Sequence, residues 1–496
     1  MSPLELHTKD IIRLQREIKL LNSARALIIN LPPIALNYQS GSSYTIRSKS
    51  YKKGCHTLDC GALDRILSID PKSQIARVEP RVTMSSLVRA TLAYGLMPPI
   101  VPEFKNITVG GAILGIAAES GSHRWGCFND ACAAFEMITA DGSLIRASPH
   151  ENIEFYNGIP GSYGSFGPLV SAEIKLIPVK KYVRLRYRFF SSPHFVVEEL
   201  LNQANTKDSP DFLDGLILSK NLAVVIEGFL VAGDSQPNLP QFSTAPTSSP
   251  FYWQHVKQIA LESNHRDYEE IMDIYDYLFR YDLGAFWIGS YLFHLPLLKR
   301  VISQGILKWT KPRQESFDNM EIQKFKVFTP NASYRAFLRP LMNSKFLNKL
   351  LHKSEDWVQN RFMIQDFCIP ESTSLEFLGG VLVDPKIFPI WLLPIKGTSS
   401  NQIFAPHLLS RGQDKGFFMN FGIYGVPAHA ESLEAVTRRL EKRARELCGR
   451  KVLYSCSYYT QEEFWEIYSR HAYEDLRKKI GAKGFWHNIV DKVLSK

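Results

Sequence analysis

The sequence predicts an α+β fold in two lobes. Its 496 residues exceed what one hydrophobic core ordinarily holds, so the chain should divide. Short alternating strands interleave with amphipathic helices on both sides of residue 180, and no segment repeats. Glycine-rich loops at 110–115 and 161–167 punctuate the first part, whereas the later part is aromatic.

In sequence order, residues 9–20 space Ile and Leu at helical intervals among charges. After Pro32-Pro33 short strands are expected at 44–47, 62–70 and 74–80. Thr83 reads as a helix N-cap, with Leu87 and Leu92 on the apolar face and Gly95 closing the helix. Residues 133–140 and 143–147 form a hairpin turning at Asp141-Gly142, and a strand follows at 169–177. The first lobe ends near Pro178, and an alternating strand at 180–190 opens the second. A polar loop spans 232–250, and 253–360 is helical and aromatic. Strands resume at 388–394, 417–424 and 451–457, with a charged helix at 432–448 and a helical tail at 461–477. The expected units are 1–180, 181–455, and a segment 456–496 that packs back on the first.

The formal net charge is +10, and 45% of residues are hydrophobic. That composition is globular, and the basic excess favours anionic partners such as phosphorylated cofactors. Nucleic acid is excluded, because the Lys and Arg are scattered and the recognition motifs are missing. Seven cysteines without a secretory signal point to reduced thiols facing the cytosol. Cys55 and Cys60 share a gap with Cys127 and Cys132, but neither pair has the third Cys of an iron–sulfur site. They read as packing residues, and no metal is expected. No stretch reaches transmembrane length. The closest, 284–298, is interrupted by His294 and Pro296. It fits a buried helix of the second lobe or an interfacial element.

Thr108-Val109-Gly110-Gly111, with Gly115 beyond, is the most informative motif. Glycines free the backbone to turn tightly or approach a ligand. Their N–H groups beside the Thr108 hydroxyl would form an anion nest for a pyrophosphate; ordinary turn glycines are the other reading. Gly161, Gly164 and Gly167 sit at equal spacing, which is not the Gly-x-Gly-x-x-Gly dinucleotide fingerprint, and a Walker A loop is absent.

The order Thr108-Val109-Gly110-Gly111, Trp125-Gly126, Asp141-Gly142, Gly161 to Gly167 resembles the vanillyl-alcohol-oxidase (PCMH-type) flavin domain. Within that superfamily the protein is similar to the Δ24-sterol reductases. Arg77-Val78-Glu79-Pro80, residues 120–126 and 172–181, Phe388-Pro389-Ile390-Trp391, Gly422-Ile423-Tyr424-Gly425 and Glu462-Glu463-Phe464-Trp465-Glu466 carry this likeness. It is weak over 1–50 and 190–350. The resemblance implies an FAD-binding PCMH-type domain at 1–180 and a substrate (cap) domain at 181–455. It implies FAD contacts from Thr108, Val109, Gly110, Gly111, Gly115, Ser120, Ser122, His123, Trp125, Gly126, Gly161, Gly164, Gly167 and Val170. Relatives with covalent flavin use a His in the first glycine-rich loop or a Cys just before the Gly-Gly pair. Here 46–50 lacks His and Val109 precedes Gly110, so non-covalent FAD is expected. NADPH as electron donor is implied by the resemblance alone. The family's N-terminal membrane anchor is missing from the opening residues. The expectation is therefore a cytosol-facing protein, soluble or peripheral on a membrane such as the endoplasmic reticulum, and not secreted.

The implied reaction is reduction of an isolated C=C bond in a sterol-like or polycyclic apolar substrate. It needs a reduced flavin, an acid at contact distance and a dry cavity. Candidate catalytic residues are Tyr458, Glu462, Arg280 and Asp282, with Asp366, Glu463 and Glu466 behind them. Each also has a structural reading: carboxylates suit a helix N-terminus, Tyr458 suits a core, and Arg280 and Asp282 could simply pair. Phe286, Trp287, Trp391, Phe421 and Tyr424 suit either a core or a flat hydrocarbon. Two other functions stay open: a flavin oxidase or dehydrogenase of an alcohol or hydrocarbon, and a flavin-retaining isomerase, cyclase or lipid-binding protein.

Overall fold

The computed structural model describes residues 1–27, 31–38, 47, 50–232, 238–246, 249–294, 339, 342–353, 360–410, 412–428 and 431–494. The expected strand at 44–47, apart from Arg47, and about half of the expected helical section 253–360 lie outside these residues. A first antiparallel sheet holds β1 (Ile66–Asp70), β2 (Ile75–Val78), β3 (Cys132–Ile138), β4 (Leu144–Ala147) and β5 (Leu169–Lys175), in the order β1-β2-β5-β3-β4. The 25-residue helix α1 (Pro3–Leu27) packs on this lobe through Ile11, Leu14 and Ile18. Thr83 caps α2 (Met84–Leu92), its hydroxyl accepting from Ser86 N–H. These elements match the alternation and cap signals that predicted them.

The second sheet has eight antiparallel strands. They are β6 (Tyr182–Phe190), β7 (Phe212–Ser219), β8 (Leu222–Val231), β9 (Tyr268–Asp273), β10 (Met363–Pro370), β11 (Ile390–Lys396), β12 (Phe417–Gly425) and β13 (Arg450–Lys451). Their order is β9-β6-β8-β7-β11-β12-β10-β13. Strands β7, β8 and β10 give no alternation in sequence because both faces are buried, which removes the period-two signal. Strand β9 falls inside the stretch expected to be helical. The expected strand at 451–457 shortens to Arg450–Lys451, because the backbone then turns inward. The helical tail is two helices, Gln461–Ile467 and Arg470–Lys479, with Ser469 capping the second.

Period two does set which side chain faces where. Leu213 and Ile217 of β7, Met363, Phe367 and Ile369 of β10, and Met419, Phe421 and Ile423 of β12 point to one side. There three helices cover them: Pro193–Asn205, Ser374–Val383 and Leu433–Glu446. The alternate residues Ile364, Cys368, Trp391, Phe418 and Tyr424 belong instead to the core shared with the first lobe. Phe286, Trp287 and Tyr291 are buried in that same core, so 284–291 is an interior segment; 295–298 lie outside the described residues.

The lobes are joined by buried charge. Arg280 has no solvent exposure and lies between Glu119 of the first lobe (3.2 Å) and Asp214 on β7 (3.1 Å). The rings of Tyr277 and Tyr281 flank its guanidinium at 4.2 and 4.6 Å. Leu213 N–H donates to the Ser120 carbonyl, and His123 faces the Pro210 carbonyl at 2.8 Å. Arg280 is therefore a clamp between lobes and not a group exposed to substrate. Removing one member of such a cluster strands charge in a dry interior. Arg280→Met should lower stability by about 3–5 kcal/mol, read as a large drop in thermal midpoint; an unchanged midpoint would refute the clamp.

Candidate active site

Between the lobes lies a cavity of about 570 Å³, within the roughly 300–1,000 Å³ usual for small-molecule sites. Its first-lobe wall includes Pro102, Glu103, Thr108, Gly110, Gly111, Gly115 and Cys127. Its second-lobe wall includes Phe286, Asp366, Trp391, Asn420, Tyr424 and Tyr454.

The Thr-Val-Gly-Gly motif is the first turn of a short helix, α3 (Val109–Gly115), with Thr108 as its cap. Thr108 Oγ1 accepts from Gly111 N–H at 3.1 Å, Gly110 N–H donates to the Pro80 carbonyl, and Val109 N–H donates to the Val82 carbonyl. These amides are engaged within the protein, so the expected anion nest is not formed by them. The glycines act by absence of bulk. A Cβ on Gly110 would stand 2.6 Å from Pro80 Cβ, and one on Gly111 would stand 3.1 Å from Thr108 Oγ1. The result is a bare backbone wall against which a flat group can lie.

The other expected cofactor contacts divide. Gly164, at φ +73°, joins Thr108, Gly110, Gly111 and Gly115 in lining the cavity. Val109 and Val170 are buried in the core. Gly161 packs on Phe404 and Ile116, and Gly167 on the Ile138 carbonyl. Ser120 and Ser122 hydrogen-bond around Glu119. Trp125 is exposed, and Gly126 fits against Asp130. His123 spans the carbonyls of Ser120 and Pro210, and burial lowers its pKa to about 4. Val109, Ser120, Ser122, His123, Trp125, Gly126, Gly161, Gly167 and Val170 do not line the cavity. The motifs mark loops that reach the cavity, but spacing alone does not separate wall glycines from packing glycines.

The four catalytic candidates also sit off the cavity wall. Glu462 is in the exposed first turn of Gln461–Ile467, where Thr460 hydrogen-bonds with Glu463 in a capping box. Tyr458 gives its N–H to Glu441 at 3.1 Å. Asp282 accepts from Lys105 N–H (3.0 Å) and Ser344 Oγ (2.6 Å). Arg280 is held in the clamp between Glu119 and Asp214. A helix N-terminal turn and a set of buried donors are structural settings for carboxylates, and Glu462 and Asp282 occupy these two.

The carboxyls in the wall are Asp366 and Glu103. Asp366 accepts from Tyr454 OH (2.6 Å), Asn420 Nδ2 (2.7 Å) and Tyr424 OH (3.0 Å). Register explains the grouping: Asp366 pairs with Gly422, which pairs on its other side with Trp391. A Cβ on Gly422 would meet Tyr424 OH at 2.6 Å and Asp366 Oδ1 at 3.2 Å. Glycine there lets the Tyr424 hydroxyl fold back onto the carboxylate. Burial raises the Asp366 pKa, while its three donors oppose the rise. Glu103 lacks such a set of side-chain donors among the described residues. Burial first, then Glu119 and Asp366, push it up to about 8. Glu103 gives no signal in the sequence, because Pro102-Glu103-Phe104 reads as the lead-in to the glycine motif. Trp391 is fixed by its Nε1–H donating to Asp214 at 3.0 Å, which ties the wall to the Arg280 clamp.

A third cluster touches the cavity. Cys127 Sγ lies 3.4 Å from His407 Nδ1, and His407 Nε2 lies 2.8 Å from Asp130. Burial alone would lower His407, but Cys127 and Asp130 raise it to about 10; burial raises Cys127 to about 11. These three are the metal-compatible grouping among the described residues, and their polar atoms already satisfy one another.

The comparisons agree with this geometry. Residues 32–148 match the FAD binding domain family. The Delta(24)-sterol reductase of Rattus norvegicus is 30% identical over 451 residues, covering 90% of this chain and 80% of the relative. The chain belongs to the Delta(24)-sterol reductase family. The Arabidopsis thaliana enzyme of that name is 27% identical over 472 residues, 90% of this chain and 78% of the relative. A shorter likeness, 30% over 124 residues (25% of this chain and 27% of the relative), links it to the decaprenylphosphoryl-beta-D-ribose oxidase of Mycolicibacterium smegmatis. This protein is an FAD-dependent oxidoreductase of the sterol-reductase type. No described helix is long and apolar enough to cross a membrane.

Two outcomes check the site. Gly422→Ala should displace the Tyr424 hydroxyl and cut turnover at least tenfold, while overpacking costs only about 1–3 kcal/mol of stability; unchanged turnover would contradict the packing. An unfolded His titrates near 6.5, whereas His407 is raised to about 10. Its contribution to stability is full below about pH 6.5 and lost as pH rises through about 10. Thermal melts of His407→Gln should therefore fall furthest below the parent at pH 6, with the gap closing toward pH 10. A gap that does not depend on pH would show that His407 is not charged.

Proposed function

We propose that this sterol-reductase relative reduces an isolated C=C bond in an apolar, sterol-like substrate, with Glu103 as the proton donor. One observation supports the reading most: two carboxyls face one cavity from opposite walls, and their surroundings differ. Paired carboxyls in unlike environments divide into an acid and a base or anion. Asp366, held by three donors, suits the ionised role, and Glu103, titrating near 8, is protonated at neutral pH.

An isolated alkene has no carbonyl to accept developing charge. Protonation on its less substituted carbon leaves positive charge on the more substituted one. Asp366 is placed to oppose that charge through space, and the ring faces of Phe286, Trp391 and Tyr424 attract a cation. The same rings keep water out. Bound reduced FAD would supply the hydride that completes the addition, and NADPH is the proposed source of that hydride. Glu103 gives up its proton in the step and regains one from solvent afterwards.

FAD is held without a covalent bond in this reading. Val109 offers no nucleophile, and Cys127, the thiol in the described cavity wall, is a protonated thiol beside His407. The units proposed are an FAD-binding domain at 1–180, a cap at 181–455 and a segment 456–496 returning to the first. Acid precipitation of the yellow holoprotein should leave the colour in the supernatant; a yellow pellet would overturn the non-covalent assignment.

The pH dependence follows from the required proton. The acid must be protonated, so kcat/KM should fall as pH rises through about 8. Glu103→Gln should lose about 10²–10⁴-fold in rate and lose that alkaline limb, while retaining FAD. An unaltered limb in Glu103→Gln would assign the acid elsewhere.

A further inference from the structure

The amides of α3 do not supply a charge for the cofactor's phosphates, yet a different part of the cavity wall is strongly cationic. Lys492, from the last helix Ile489–Val493, is only 4% exposed and lines the cavity. Its ammonium donates to the Tyr163 carbonyl at 3.0 Å, and a Cβ on Gly164 would stand 3.9 Å from it. Arg47, 9% exposed, lines the same end. Its guanidinium lies 4.2 Å from the Tyr163 ring centroid and donates to the Leu453 carbonyl. Lys52, also in the wall, donates to the Leu36 carbonyl at 2.9 Å.

Neither Lys492 nor Arg47 has a carboxylate within ion-pair distance among the described residues. Burial and the nearby Lys52, Arg477 and Arg47 hold the Lys492 pKa well below its ordinary value, and Asp491 opposes this only weakly. Buried cations without counter-ions are costly and call for an anion. Tyr163 carries the cluster toward the cofactor wall: its hydroxyl is buried without a hydrogen-bond partner and would lie 3.7 Å from a Cβ on Gly115.

We infer that Lys492 and Arg47 form the seat for the diphosphate of FAD, so that the helix Ile489–Val493 closes the cofactor site. The inference rests on the reading that this cavity holds FAD. It assigns the phosphate contact to Lys492 of the C-terminal segment and Arg47 of the first lobe, outside the glycine motif that first suggested a phosphate.

The test strips the flavin from the full-length protein and titrates the apoprotein with FAD, with riboflavin (which lacks phosphates) and with NADPH, following flavin fluorescence or heat. Lys492→Met should weaken FAD by roughly 30-fold or more, as for loss of one partner of a buried charge pair. Riboflavin should change by less than about threefold, because it makes no such pair. Lys492→Arg should restore most of the FAD affinity. The Lys492→Met apoprotein should also melt above the parent apoprotein, since an unpaired buried charge is gone. Equal FAD affinity in parent and variant would overturn the inference, as would equal weakening of FAD and riboflavin, which marks a merely structural residue. Weakening of NADPH alone would assign the seat to the other nucleotide and refute ours. Parent apoprotein that binds neither flavin would refute the cofactor reading itself.

Discussion

A guanidinium removed from water needs opposing charge on more than one side, and Arg280 finds it only where the two lobes meet. Glu119 comes from the lobe of the small sheet and Asp214 from a strand of the large one. Desolvation makes the trio costly to break, so it fixes the spacing of the seam. The cavity is the part of that seam left unfilled. Asp214 also receives the Trp391 indole, so the orientation of an aromatic wall depends on the same charge cluster. Arg280 is thus joined to the cavity wall through Asp214 and Trp391 and does not line it.

The large sheet then sorts its side chains by parity. One face goes to the covering helices and the other to the cavity. Asp366, Asn420 and Tyr424 share a face because they sit on alternate positions of paired strands, and Gly422 leaves the gap in which the Tyr424 hydroxyl reaches Asp366. The opposite wall is bare backbone from α3 with Glu103 beside it. In the proposed reaction a flat cofactor, an apolar substrate and the Glu103 carboxyl meet there without bulk water, as addition across an unactivated alkene demands.

The first lobe is largely legible from residues because its strands carry turn pairs and clean alternation, as at Asp141-Gly142, and its helix declares its cap at Thr83. The large sheet is not. Strands such as Phe212–Ser219 are buried on both faces, so period two vanishes and a strand looks like any apolar run. The site is legible at the level of loops and not of roles. Thr108, Gly110, Gly111, Gly115 and Gly164 do line the cavity, but Gly161 and Gly167 serve packing at the same spacing. Proximity in sequence to a C-terminal motif favours Tyr458 and Glu462, whereas the inward turn after Arg450–Lys451 delivers Tyr454. Glu103, Asp366 and Tyr454 come from three distant segments, and only the fold brings them together.

The proposed function requires this cavity to couple a reduced flavin to an alkene. It is tested most directly by reducing the purified holoprotein chemically, without oxygen, and mixing it with a sterol whose alkyl tail holds an isolated double bond. The visible absorbance of oxidised flavin should return, with one saturated sterol formed per flavin. Flavin that stays reduced in the presence of that sterol, and recovers its colour only when oxygen is admitted, would contradict it.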